Sequence, residues 1–254
     1  MEAMPSHWSG HPPVPEVTGP HPGGTARGYR EGENPARWRG HLENLLPAPA
    51  KVRRVEHHAA LPYAELGAFM AELRQQEGVA ARALEFVILT AARTGEVIGA
   101  RWNEIDQAER LWTVPRDRMK AGKEHRVPLS DAALAIVSTM AGIRHADFVF
   151  PGARTGRPLS QMALLMTLRR MGWDDVTAHG FRSTFSDWAA EQTSFASEVR
   201  EMALAHTVSD KVEAAYRRGD LFAKRRQLMQ AWAKFAATPE PANIVLLRDA
   251  AAGE

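Results

Sequence analysis

Six side chains in this 254-residue sequence are of types that together could move a phosphoryl group without a metal: Arg93, Lys120, His179, Arg182, His206 and Tyr216. Arginine offers a planar fork of N–H donors that matches the non-bridging oxygens of a phosphate. Lysine can protonate a departing oxygen, and histidine takes or gives a proton near neutral pH. A phenol with pKa about 10 attacks only where neighbours accept its proton and stabilise developing negative charge. Each candidate has an ordinary alternative: a surface arginine at a helix end, a solvated hairpin lysine, a common His-x-x-Arg pair, a tyrosine ring packed on a helix. The absence of cysteine removes disulfides, Cys-ligated zinc or iron–sulfur sites and a thiol nucleophile. The histidines lack further ligands at helical spacing, so no metal is expected.

The elements that must carry these residues are legible from periodicity. Leu66, Phe69, Met70 and Leu73 recur on one face of a helix that begins near Leu61, with Pro62 suited to its first turn and Gly78 able to stop it. A more apolar helix in ARALEFVILTAA leads to Arg93, which then stands at a junction where Thr94 or Gly95 opens a third helix through GEVIGARW. Lys120 lies in PRDRMKAGKE, between the β-like runs LWTV at 111–114 and HRVPL at 125–129, which read as a hairpin. DFVF at 147–150 is a candidate edge strand. From Ser160 to Phe235 the pattern is helical, with breaks expected near Gly172, Thr193 and Ser209; it carries HGFR, with His179 and Arg182 on one face if a helix starts there, then LAH with His206, and AAYRRGD with Tyr216. Leu228, Trp232 and Phe235 fall on one side of a last helix expected to pack on its own domain, exchange with a neighbouring protomer being the alternative. The sum is a mainly α protein with a small antiparallel sheet.

The first 50 residues hold nine of the 16 prolines and seven of the 19 glycines. Residues 1–32 therefore read as a disordered tail. Residues 33–60 read as a short amphipathic piece around Trp38, Leu42, Leu45 and Leu46 followed by a linker. Residues 61–236 read as the compact unit, and 237–254 as a tail. With 32 Lys+Arg against 30 Asp+Glu the net charge is only +2. The basic residues nonetheless cluster near the candidate site: Arg116, Arg118, Lys123, Arg126, Arg217 and Arg218, with Lys224, Arg225 and Arg226, suit the phosphates of a nucleic-acid backbone, ordinary solvated helix faces being the alternative. There is no apolar run of about 18 residues and no signal-peptide pattern, so a cytoplasmic protein off the membrane is expected.

The order Arg93 in ARTGE, Lys120 ahead of a strand ending VPLS, HGFR, LAH and AAYRRGDLFAKRR resembles the tyrosine recombinase (phage integrase) catalytic domain, most closely that of satellite-phage-type prophage integrases, over roughly residues 33–236. The resemblance implies a helical catalytic fold with a small antiparallel sheet, and catalysis by Arg93, Lys120, His179, Arg182, His206 and Tyr216. Lys123 is the alternative hairpin lysine. It also implies double-stranded DNA as partner, a homotetramer on that DNA, accessory DNA-bending or excision factors, and no cofactor. Such integrases carry an arm-binding region and a complete core-binding domain ahead of the catalytic one, in whose place this sequence has the Pro/Gly-rich tail and one short helix. A remnant that binds DNA without recombining it, and a type IB topoisomerase-like nicking and resealing enzyme, are the other readings.

Overall fold

The computed structural model describes Arg39, residues 42–46, 60–144, 146–206 and 219–238. The chain divides into two units, Met1–His57 and His58–Glu254. In the first, the described residues form one helical turn, Glu43–Leu45, with Leu45 and Leu46 exposed. The expected tail at 1–32, Trp38, the prolines of the linker, the break at Ser209, Tyr216, Arg217 and Arg218 lie outside the described residues.

The second unit is built around a helix that is apolar on nearly every side. After a 3-10 turn, Tyr63–Glu65, come α1 (Leu66–Gln75) and α2 (Val79–Thr90). Gly78, at φ 92°, makes the entry into α2, a backbone state open to glycine. From Leu84 to Thr90 every residue of α2 is buried, which is possible only because neighbours cover it all round: α1, α3 (Thr94–Ile98), α4 (Asp131–Gly142), α5 (Gln161–Arg170), α6 (Phe181–Glu191) and α8 (Phe222–Ala237). A further helix, α7, spans Ser197–Ala203. The breaks near Gly172 and Thr193 fall where α5 and α6 end. Leu228 and Trp232 are fully buried, and the Trp232 indole N–H donates to the Ile88 carbonyl at 2.8 Å, so α8 packs on its own unit.

Among the described residues the sheet has three antiparallel strands in the order β1 (Ile105–Asp106), β2 (Leu111–Val114) and β3 (His125–Pro128). Trp112 pairs with Val127 and Val114 with His125. Alternation turns Trp112 and Val114 inward, where Trp112 meets Phe86 of α2 at 5.5 Å between ring centroids. Two expectations are corrected. DFVF does not form an edge strand: Phe148 makes a single bridge to Arg101, because the chain turns away to pair Pro151 with Pro158. The third helix stops at Ile98 rather than reaching Trp102, since Gly99 ends it and a separate 3-10 turn, Trp102–Glu104, leads into β1, a strand too short to show alternation.

Candidate active site

Arg182 is the centre of the site and its most buried cation, 6 % exposed. Its guanidinium bridges two helix ends: Nη1 donates to the Ala91 carbonyl after α2, and Nη2 donates to the Leu204 carbonyl after α7 at 2.6 Å. Those carbonyls have no partner within their own helices and carry the negative end of the helix dipole, so they hold a cation without a carboxylate. Both helices end on an alanine in the left-handed region, Ala91 at φ 49° and Ala205 at φ 50°. After α7 the Ala205 N–H returns to the Met202 carbonyl and the His206 N–H to the Glu201 carbonyl at 3.0 Å, the paired closure of a Schellman turn. Burial first, and then the Arg93 charge, lower the Arg182 pKa to about 10, which leaves it protonated at neutral pH.

Arg93 sits at the start of α3. Glu96, 5 % exposed, accepts from the Arg93 backbone N–H at 2.9 Å and from its Nη1 at 2.8 Å, while Nη2 reaches the Ala205 carbonyl at 3.4 Å. His206 stands between opposite charges: Nδ1 lies 2.7 Å from Glu201 Oε2, and Nε2 lies 3.3 Å from Arg182 Nη2. Partial burial pushes the Glu201 carboxyl up, but the His206 hydrogen bond and the Arg200 side chain outweigh it and leave the group below the ordinary carboxylate range. Lys120, on the turn between β2 and β3, completes a cleft of about 560 Å³ lined with Arg93, Ala121, Glu201, Ala205 and His206.

Four of the six sequence-predicted residues thus come together: Arg93, Lys120 and His206 line the cleft, and Arg182 touches His206. His179 is exposed in the turn before α6, and its carbonyl accepts the Arg182 backbone N–H at 3.1 Å, so the two share a turn but only Arg182 of the pair is buried. Tyr216, with Arg217 and Arg218, is outside the described residues. Lys123 is exposed on the hairpin but does not line the cleft.

The basic residues divide by environment. Arg116 is exposed, and Arg126 is 43 % exposed, pairs with Asp220 at 3.2 Å and lies over the Phe222 ring. Arg118 turns inward: it pairs with Glu104, itself 7 % exposed, and donates to the Glu96 carbonyl. Arg225 corrects the expectation of a DNA-facing cation, being 1 % exposed and bonded to the Asp220 carbonyl, the Asp220 carboxylate and the Arg126 carbonyl. Three residues that the sequence reasoning passed over complete the site and its support. Glu96 and Glu201 were signalled only by their spacings of three after Arg93 and five before His206, and Glu104 carried no local signal. His125 stands at the start of β3, where burial first, then the Arg225 charge, lower its pKa to about 4 against the opposing pull of Glu96.

The chain matches the phage integrase family over residues 60–220. It is 38% identical over 162 residues to the prophage integrase IntA of Escherichia coli strain K12, covering 63% of this chain and 39% of that one. It is 35% identical over 193 residues to the prophage integrase IntZ of the same strain, covering 74% of this chain and 47% of that one. The match to the integrase of Enterobacteria phage P4 is 31% over 202 residues, with 72% and 46% covered. The chain therefore spans less than half of each of these relatives. Among solved structures, the integrase from mycobacterium phage Brujita shares the fold at TM-score 0.53 and 16% identity, over 76% of this chain and 61% of that one. The Tn1549 transposon integrase, in complex with transposon right end DNA, does so at TM-score 0.53 and 15% identity, over 82% and 75%. No helix among the described residues is long and apolar enough to cross a membrane. A family match that takes in Arg93, Lys120, His179, Arg182, His206 and Tyr216 and covers well over half of the sequence makes this chain a member of the phage integrase family.

Proposed function

We propose that this chain cuts and rejoins double-stranded DNA as a site-specific recombinase, for the integration or excision of a prophage or other mobile element. The observation that carries the reading is the meeting of Arg93, Lys120, Arg182 and His206 around one cleft. In the reaction, the Tyr216 oxygen bonds to a backbone phosphorus as the bond from phosphorus to the 5′-oxygen breaks, giving a 3′-phosphotyrosyl link. The phenolic proton passes to a histidine, His179 or His206, and Lys120 protonates the departing 5′-oxygen. A 5′-hydroxyl of the partner duplex then reverses the step, and the retained phosphoester makes ATP unnecessary.

Arg93 and Arg182 stabilise charge on the non-bridging oxygens. Because Arg182 is anchored by carbonyl oxygens and not by a carboxylate, its charge remains for the phosphate. Removing one such preorganised donor costs about 3 kcal/mol of transition-state energy, roughly a hundredfold in rate. Arg116, Lys123, Arg126, Arg217 and Arg218 contribute sequence-independent contacts to the duplex, on which a homotetramer assembles with accessory bending or excision factors. The likeness in fold to an integrase described with its transposon end DNA supports duplex DNA as the partner.

The test is covalent trapping on a nicked suicide duplex that carries a candidate attachment sequence. The wild-type chain is expected to give a protein–DNA adduct on a denaturing gel, and Tyr216→Phe none. A folded wild-type chain that binds the duplex but gives no adduct would refute the assignment. Binding itself should weaken steeply with salt through counterion release, and an affinity flat between low and moderate salt would count against DNA as the partner.

A further inference from the structure

The last turn of α7 holds a carboxylate with one oxygen on Arg200 and the other on the His206 ring. Glu201 fixes His206 twice, through its backbone carbonyl to the His206 N–H at 3.0 Å and through its carboxylate to the ring Nδ1 at 2.7 Å. On the far side of the ring, Arg182 Nη2 lies 3.3 Å from Nε2. The two partners allow one proton arrangement. A carboxylate only accepts, so Nδ1 carries the hydrogen; a guanidinium only donates, so Nε2 presents its lone pair. Arg93 and Lys120 line the same cleft, Glu96 is paired with Arg93, and Arg200 approaches Glu201 at 3.3 Å.

We propose that Glu201 is a positioning residue for the cleavage reaction: it holds His206 as the Nδ1–H tautomer with Nε2 free to accept a proton at the cleft. This rests on the recombinase reading given above. The logic is that of an orienting carboxylate behind a histidine base, which sets tautomer and ring angle and stabilises the imidazolium once Nε2 takes a proton. In the resting state Arg182 occupies the Nε2 lone pair. A bound phosphate draws the guanidinium to its oxygens and leaves Nε2 open to accept the proton released by the attacking hydroxyl, while the Nδ1 hydrogen stays on the Glu201 bond. The geometry needs Glu201 at the third position from the helix end, since only there does the left-handed Ala205 fold the following residue back over it.

Two measurements on the full chain test this. The first is ring ¹⁵N correlation spectroscopy of histidine-labelled protein without DNA, at a pH where free imidazole is neutral, with His206 assigned as the resonance lost in His206→Gln. Wild type is expected to show Nδ1–H, Glu201→Gln to keep it because the amide oxygen can still accept, and Glu201→Ala to lose it in favour of Nε2–H or a mixture. The second is the rate of adduct formation on the suicide duplex. Glu201→Ala is expected to be about tenfold or more slower, the range typical of orienting partners. Duplex affinity should stay within about twofold, with Glu201→Gln recovering most of the rate and Glu201→Ala costing nothing further in a His206→Ala background. Glu201 is 40 % exposed, so the truncation leaves no core cavity. An unchanged tautomer in Glu201→Ala, a wild-type cleavage rate, or rate losses that multiply with His206→Ala would each overturn the proposal. A wild-type chain without any adduct refutes the recombinase reading instead, and the spectra then decide the role of Glu201 by themselves.

Discussion

Arg118 illustrates how burial separates a structural cation from one left free at the surface. Its Nη1 lies 2.5 and 2.6 Å from the two Glu104 oxygens, and its Nη2 donates to the Glu96 carbonyl, while Glu104 also accepts the Trp112 indole N–H at 3.0 Å. The pair is largely out of water, with 19% of the arginine and 7% of the glutamate side chain exposed. Arg118→Ala leaves the Glu104 carboxylate buried without a counter-charge, its remaining partners being the indole and the Arg101 backbone N–H at 3.3 Å. Breaking a buried pair from one side costs about 3–5 kcal/mol, and the two remaining neutral hydrogen bonds and the partial exposure of the arginine place the expected loss near the lower end, about 3 kcal/mol. Urea unfolding followed by tryptophan fluorescence measures it as a fall in midpoint at unchanged slope. Arg118→Met combined with Glu104→Gln should recover much of the loss, because the stranded charge is gone. Below the transition, the affinity of Arg118→Ala for duplex DNA should stay within about threefold of wild type with the same salt dependence. An unchanged unfolding midpoint together with weaker binding and a salt slope reduced by about one would refute the argument and return Arg118 to the DNA surface.

The clasp makes Gly99 sensitive, since a Cβ there would lie 2.8 Å from Arg118 Nη2 and 3.2 Å from the Gly95 carbonyl; Gly99→Ala should cost about 1–3 kcal/mol in the same unfolding experiment. Arg225→Ala should cost about 3 kcal/mol or more and Lys224→Ala less than about 0.5 kcal/mol, although the two are adjacent, because only Arg225 is buried. His125 makes stability depend on pH: with its folded pKa lowered to about 4 from an unfolded value of 6.5, the unfolded chain binds the proton first. The full contribution, up to about 3 kcal/mol, is therefore present above pH 6.5 and lost as pH falls from there toward 4. His125→Gln should flatten unfolding free energy against pH across that window, and an unaltered curve would show that another group titrates there.

How far the sequence could be read follows from the range of each interaction. Helix faces and the hairpin repeat at intervals of four residues or fewer, so α1, α2, β2, β3 and the apolar side of α8 announce themselves in a single chain. The six chemical residues are recognisable by type and order, and the family's motifs are contiguous strings. β1 was missed because two residues carry no period, and the expected strand at DFVF failed because pairing depends on a partner edge that the string does not specify.

Other distinctions exist only in the folded unit. Arg116 and Arg118 are two residues apart in the same 3-10 turn, yet one is exposed and the other is clasped. What separates them is whether a buried carboxylate waits nearby, and Glu104 is supplied by a different segment. Arg182 is a buried cation held without a carboxylate because α2 and α7, more than a hundred residues apart in sequence, end at the same point and direct their free carbonyls at it. Side-chain chemistry and local periodicity are properties of the chain, and they point to the class of reaction proposed and to the kinds of element that carry it. Charge availability, tautomer and burial depend on what long-range packing brings within a few ångströms, and those the tertiary structure alone decided.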